Sequence, residues 1–126
     1  MGNVRVSRQF KEMTMTTTKA SEIVRRVFSA YEQNDRAQVE AVLAEDFTFS
    51  SPPDPHLDRA GYFERCWPNS KAIKTFRFRK ILEDNGEVFV TYELEKADGS
   101  RGRNTEYFVV DGDKITRCEV YFGPSL

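Results

Sequence analysis

Beyond Pro68 the apolar residues of this chain change from a period of about 3.6 to a period of 2 and keep it almost to the end, which predicts four strands at about 74–83, 87–96, 103–110 and 114–122. Strand side chains alternate between faces, so each of these strands has one face to bury and one left over. Before Pro68 the spacing is helical. Ile23, Val24, Val27, Phe28 and Tyr31 recur at steps of one, three and four and predict an amphipathic helix ended by Asn34. Asp35 then stands as an N-cap with Gln38 as its capping-box partner, and Val39, Val42 and Leu43 form the stripe of a short second helix. The expected class is α+β, with helices first and an antiparallel meander after them.

Between the helices "FTFSSPPDPHLD" reads as a strand with Phe47, Phe49 and Ser51 on one face, stopped by Pro52, Pro53 and Pro55. Asp58 is placed to cap a third helix whose Tyr62, Phe63, Cys66 and Trp67 form an apolar side, with Pro68 as its stop. The first hairpin can be registered through a three-residue loop, Asp84-Asn85-Gly86, which pairs position 83 with 87. Phe78 then faces Tyr92, Phe76 faces Leu94 and Arg77 faces Glu93. That register explains "KTFRFRK" as a strand with one aromatic and one charged face, not as a nucleic-acid surface.

A chain of 126 residues with 39% apolar and 31% charged residues has the balance of one globular domain, and a net charge of −1 lacks the basic surplus of a general nucleic-acid binder. No apolar run reaches the ~18 residues that a membrane helix needs, and the N-terminus lacks the apolar centre of a secretory signal, so a cytoplasmic location is expected. Val6 stands where a myristoylation motif needs Ser or Thr. Residues 1–17 carry no sustained period and are expected to be a disordered leader, with Met13 or Met15 as other possible starts; the domain proper is expected over 18–126. Cys66 and Cys118 are too far apart for a CxxC motif and the chain has one histidine, so no metal is expected; nor is a cofactor, with no Gly-rich phosphate loop or GxSxG elbow.

The face of the sheet turned away from the aromatic stripe would carry Phe89 with Arg77, Arg79 and Glu93, and Tyr121 with Arg117 and Glu119. Aromatics and arginines among charges of both signs compose a self-complementary interface, which predicts a homodimer through this face; the alternative is a solvated sheet surface.

A first helix ending in "YEQND", a second ending in "LAEDF", a strand running into a Pro-rich loop and a last pair "YFVVDGDKITRCEVYFG" together resemble a SnoaL-like domain of the nuclear transport factor 2-like superfamily, over about residues 20–124. The resemblance implies a curled sheet wrapped round a long helix, a cone with its mouth near the loop after the first strand, and dimers through the sheet. Such families include isomerases, cyclases, hydratases, dehydratases and hydrolases of apolar substrates, as well as silent partner-binding proteins.

Laid on the pattern of ketosteroid isomerase, the base position falls at Ser51 and the tyrosine position at Val27, so two of its three chemical groups are missing. The third, a carboxylic acid, falls near Glu106. Pointing inward, Glu106 would lie opposite Cys118 among Phe108, Val120 and Phe122 and serve as an acid or hydrogen-bond donor; one residue of slip would turn Thr105 and Tyr107 inward and leave Glu106 solvated. His56, at the presumed lip, is either a base working through water or a surface residue. The expected pocket comprises Tyr31, Phe49, Ser51, Tyr62, Phe63, Trp67, Phe76, Phe78, Tyr92, Phe108, Cys118 and Phe122, unless these side chains simply fill the cone. The functional expectation is a protein binding a small apolar or aromatic molecule, with cofactor-independent isomerase, dehydratase or cyclase chemistry; the alternative is a non-catalytic dimerisation or adaptor module with a closed pocket.

Overall fold

The structure is a computed structural model that describes residues 19–126. The leader expected over residues 1–17 lies outside the described residues. Helix α1 (Ala20–Gln33) buries Ile23, Val24, Val27 and Phe28, the stripe its sequence predicts, and ends at Asn34 in the left-handed conformation with φ 56°. Helix α2 (Arg36–Val42) follows at once. The capping box expected there does not form. The Asp35 N–H is already committed to the Ala30 carbonyl at 2.8 Å, so Gln38 donates instead to the Asp35 carboxylate at 2.9 Å.

Strand β1 (Leu43–Ser50) buries Phe47 and Phe49, and its prolines send the chain through a tight loop into the two-residue strand β2 (Leu57–Asp58). Helix α3 (Arg59–Arg65) is capped as expected: Asp58 accepts from the Gly61 N–H at 2.8 Å. The α-helix ends at Arg65, ahead of Pro68, which sits in the first turn of a following 3₁₀ segment (Trp67–Ala72), where its missing N–H costs nothing.

The meander runs β3 (Ile73–Asp84), β4 (Glu87–Lys96), β5 (Arg101–Asp111) and β6 (Lys114–Ser125), with sheet order β2-β1-β6-β5-β4-β3. β1 runs parallel to β6 and every other pair is antiparallel, so the sheet is mixed. It is curved and unclosed. The Phe28 ring packs against its concave face, with ring centroids 4.9 Å from Phe76, 5.1 Å from Phe78 and 4.9 Å from Tyr92, all edge to face. Such contacts add about 0.5–1.5 kcal/mol each to the burial of the rings.

The β3–β4 hairpin reaches the expected pairs by a different route. Its turn is Asn85-Gly86, both with positive φ, so Asp84 pairs Glu87 and position 83 pairs Val88. An irregularity between Phe78 and Lys80 then slips the register by one and restores Phe78 opposite Tyr92, Phe76 opposite Leu94 and Arg77 opposite Glu93. Arg77 makes no ion pair there. The Glu93 carboxylate is taken by Arg103 at 3.0 Å, Arg79 at 3.3 Å and Arg101 at 3.5 Å. Among the described residues no helix is long and apolar enough to cross a membrane.

Candidate functional site

A cavity of about 580 Å³ opens between the concave face of the sheet and helices α1 and α3. Of the residues expected to form the pocket, Tyr31, Phe49, Ser51, Tyr62, Phe76, Tyr92, Phe108, Cys118 and Phe122 line it. Phe63, Trp67 and Phe78 do not. Phe63 follows Tyr62 by one helical step of about 100° and so turns to the far side of α3, where the guanidiniums of Arg36 and Arg59 stand 4.5 and 5.2 Å from its ring. Trp67 packs edge-on against the Tyr31 ring at 4.8 Å, and Phe78 lies between Phe28 and the Arg25 guanidinium.

Glu106 points inward. On β5 it shares a face with Asn104 and Phe108, while Tyr107 on the other face stacks against Phe89 with centroids 4.8 Å apart. Its partner across β6 is Val120 and not Cys118, which pairs Phe108; the thiol reaches the carboxylate diagonally, donating to Oε1 at 3.4 Å. The Tyr92 hydroxyl donates to Oε2, and Asn104 Nδ2 donates to the same hydroxyl at 3.3 Å. Burial raises the pKa of Glu106, and the bonds from Tyr92 and Cys118 offset part of that rise. The same burial, with the nearby carboxylate, pushes the Tyr92 hydroxyl and the Cys118 thiol far above their usual values. Cys66 is pushed up to about 11, again mainly by burial, so neither thiol is a ready nucleophile.

A second polar group comes from the helices. Tyr31 on α1 and Tyr62 on α3 place their hydroxyls 2.6 Å apart at the cavity wall, and burial raises both pKa values. The pair has two hydrogens and one mutual bond, so one O–H remains to be offered to whatever occupies the cavity.

The loop after β1 is less engaged than expected. Ser51 and Asp54 line the cavity, but His56 is exposed and lies outside the lining. The Ser50 hydroxyl holds the Pro55 carbonyl at 2.8 Å and turns the chain back toward β2, which carries His56 away. Asp54 accepts from Arg65 at 2.5 Å and both line the mouth. Asn104, Arg65 and Phe47 are lining residues that the sequence reading passed over. Asn104 was within reach of the parity that places Glu106, two positions along the same strand. Among the described residues no group of three or more His, Cys, Asp or Glu is placed to hold a metal ion.

Comparison with solved structures finds the same fold in proteins of low sequence identity. An NTF2-like protein of unknown function from Cytophaga hutchinsonii is 22% identical, with a TM-score of 0.69 over 86% of this chain and 93% of that one. A candidate ketosteroid isomerase from Kribbella flavida is 17% identical, with a TM-score of 0.71 over 85% and 79% of the two chains. IdmH, a candidate polyketide cyclase from Streptomyces antibioticus, is 14% identical, with a TM-score of 0.63 over 82% and 91%. Comparison with curated proteins gives no match. The model of the SnoaL-like domain matches residues 24–118, which contain both helical hydroxyls, Glu106 and Cys118, and on that match the chain belongs to the SnoaL-like domain family.

Proposed function

We propose that this protein binds a small, mostly apolar or aromatic molecule in its cone and moves a proton on it without a cofactor. The observation that carries the reading is an ionisable carboxyl, Glu106, set in an aromatic-walled cavity of about 580 Å³ and hydrogen-bonded by Tyr92 and Cys118. A carboxyl whose pKa is raised by burial is a better base near neutrality than a solvated one. The spare hydrogen of the Tyr31–Tyr62 pair is the group to steady a developing oxyanion. His56, exposed and outside the lining, has no part in this reading. Isomerisation, dehydration and cyclisation all fit this set, and two structural neighbours are named as a candidate isomerase and a candidate cyclase. Thermal shift with a panel of aryl ketones and terpenoid-like molecules tests it: binding to the native state raises Tm, and Ser51→Trp, which fills the lining, abolishes the rise. No shift across the panel would return the weight to a module without a ligand.

The outer sheet face supports a second element, a homodimer. Phe89 and Tyr121 are 48% and 53% exposed, and they sit beside the Glu93 cluster of Arg79, Arg101 and Arg103 and the Arg117–Glu119 pair. Exposed aromatics within a field of both signs suit a second copy related by a twofold axis.

A further inference from the structure

Two carboxyl groups of the sheet stand in opposite company. On the outer face Glu93 is met by three guanidiniums, those of Arg79, Arg101 and Arg103. On the concave face Glu106 meets the Tyr92 hydroxyl and the Cys118 thiol, and among the described residues no cation pairs with it. A buried charge is ordinarily paired, because neutral hydrogen bonds alone leave most of its lost hydration uncompensated. Burial accordingly raises the Glu106 pKa, and the groups that lower it again are those two neutral donors.

The elements around this carboxyl bring no positive charge to it. Tyr92 comes from β4, Cys118 from β6, Tyr31 from α1, Tyr62 from α3 and Cys66 from the end of α3; each is a neutral acid whose ionisation the Glu106 charge opposes. The other charged lining residues belong to the mouth. Asp54 and Arg65 pair with each other, Arg101 reaches round to Glu93, and Lys96 is exposed at the end of β4. Nine of the lining residues are Phe or Tyr. Around Tyr62 the rings of Phe47 and Phe49 stand at 73° and 49° to its plane, so the wall presents ring faces as well as edges. Ring faces are the negative side of the aromatic quadrupole. A carboxyl without a counter-ion inside such a wall is complemented by a positive charge on an apolar body.

We propose that the cavity binds a protonated primary or secondary amine with an aromatic body, its ammonium donating to Glu106 and its body lying against the Phe and Tyr wall. This rests on the reading of the cavity as a ligand site and adds a ligand class to it. Each Glu106 oxygen accepts one donor from the protein and keeps a further lone pair, so an ammonium with N–H groups fits better than a quaternary one. Where Glu106 is protonated, its proton leaves to solvent as the cation enters, and binding is linked to proton release. The seated ammonium covers the oxygens that proton transfer needs, so an amine and a neutral ligand exclude one another.

The test compares 2-aminotetralin with 2-tetralone, one carbon skeleton with and without the charge, by titration calorimetry on the unmodified protein, Glu106→Gln and Asp54→Asn. The unmodified protein should bind the amine tighter than the ketone by about tenfold or more, and Glu106→Gln, which keeps the shape and removes the charge, should lose that preference. A preference kept in Glu106→Gln and lost in Asp54→Asn would seat the cation at the mouth and overturn the assignment. Should Glu106→Gln not fold, the unmodified protein answers through pH. Below the folded carboxyl value the amine's affinity should rise by up to about tenfold per pH unit, with release of a proton, while the ketone's does not rise. A flat amine profile between pH 4 and pH 8 overturns the proposal. Ketone binding with no preference for the amine overturns it too and leaves the ligand site standing, whereas binding of neither molecule removes both.

Discussion

The hydroxyls of Tyr31 and Tyr62, from two different helices, lie 2.6 Å apart and have one hydrogen to spare. Either phenol alone could still offer its own hydrogen to a ligand. Tyr31→Phe and Tyr62→Phe are each expected to cost about 1 kcal/mol of stability and to slow the solvent-deuterium uptake of a bound ketone by less than about tenfold. The double variant has no donor left and should lose about 10²–10³-fold, the scale of a missing oxyanion donor. Losses of equal size in one single and the double variant would assign the spare hydrogen to that one tyrosine.

Glu106 gives stability a pH dependence of definite sign. Its folded pKa is raised by burial, so the folded state holds the proton more tightly than the unfolded chain does. The contribution is fully present below the unfolded carboxyl pKa of about 4.3 and is lost as pH rises through the folded value. Glu106→Gln removes the buried charge, and its Tm relative to the unmodified protein should rise between pH 4 and pH 8. A difference independent of pH, read by scanning calorimetry, would mean that the carboxyl is solvated.

Gly123 approaches the Arg103 carbonyl so closely that an added Cβ would overlap its oxygen, which sets a second cost. Gly123→Ala must push β6 away and should destabilise by about 1–3 kcal/mol, as overpacking does. Denaturant melts give that quantity.

If the outer sheet face joins two copies, Phe89→Arg puts a charge at the aromatic centre of the contact. Sedimentation should then show a dimer becoming a monomer at micromolar concentration, a loss of at least about tenfold in affinity. A monomer in the unmodified protein would remove this interface.

Much of the fold was legible because period and punctuation agree. The stripe of α1, the cap at Asp58 and the start of each meander strand follow from local chemistry that tertiary contacts do not override. The β3–β4 pairs came out right through two compensating features, a two-residue turn and an irregularity at Arg79, because both put Phe76 and Phe78 on the buried face. Parity also reached Glu106, but not the diagonal from Cys118, which depends on a register shift between Val109 and Val110. Phe63 and Trp67 were misassigned to the pocket since burial alone does not tell which side of a short helix meets a cavity. Asn104 escaped notice because its carboxamide is held by the backbone N–H of Gly123, and no residue type announces that.

The most direct measurement is solvent-deuterium uptake at the acidic C–H of 2-tetralone, followed by proton NMR at neutral pH with the unmodified protein and Glu106→Gln. The protein should accelerate uptake over buffer, and Glu106→Gln, folded and of the same shape, should reduce it to the buffer rate. Equal rates for the two proteins would show that Glu106 does not accept a proton from such a molecule.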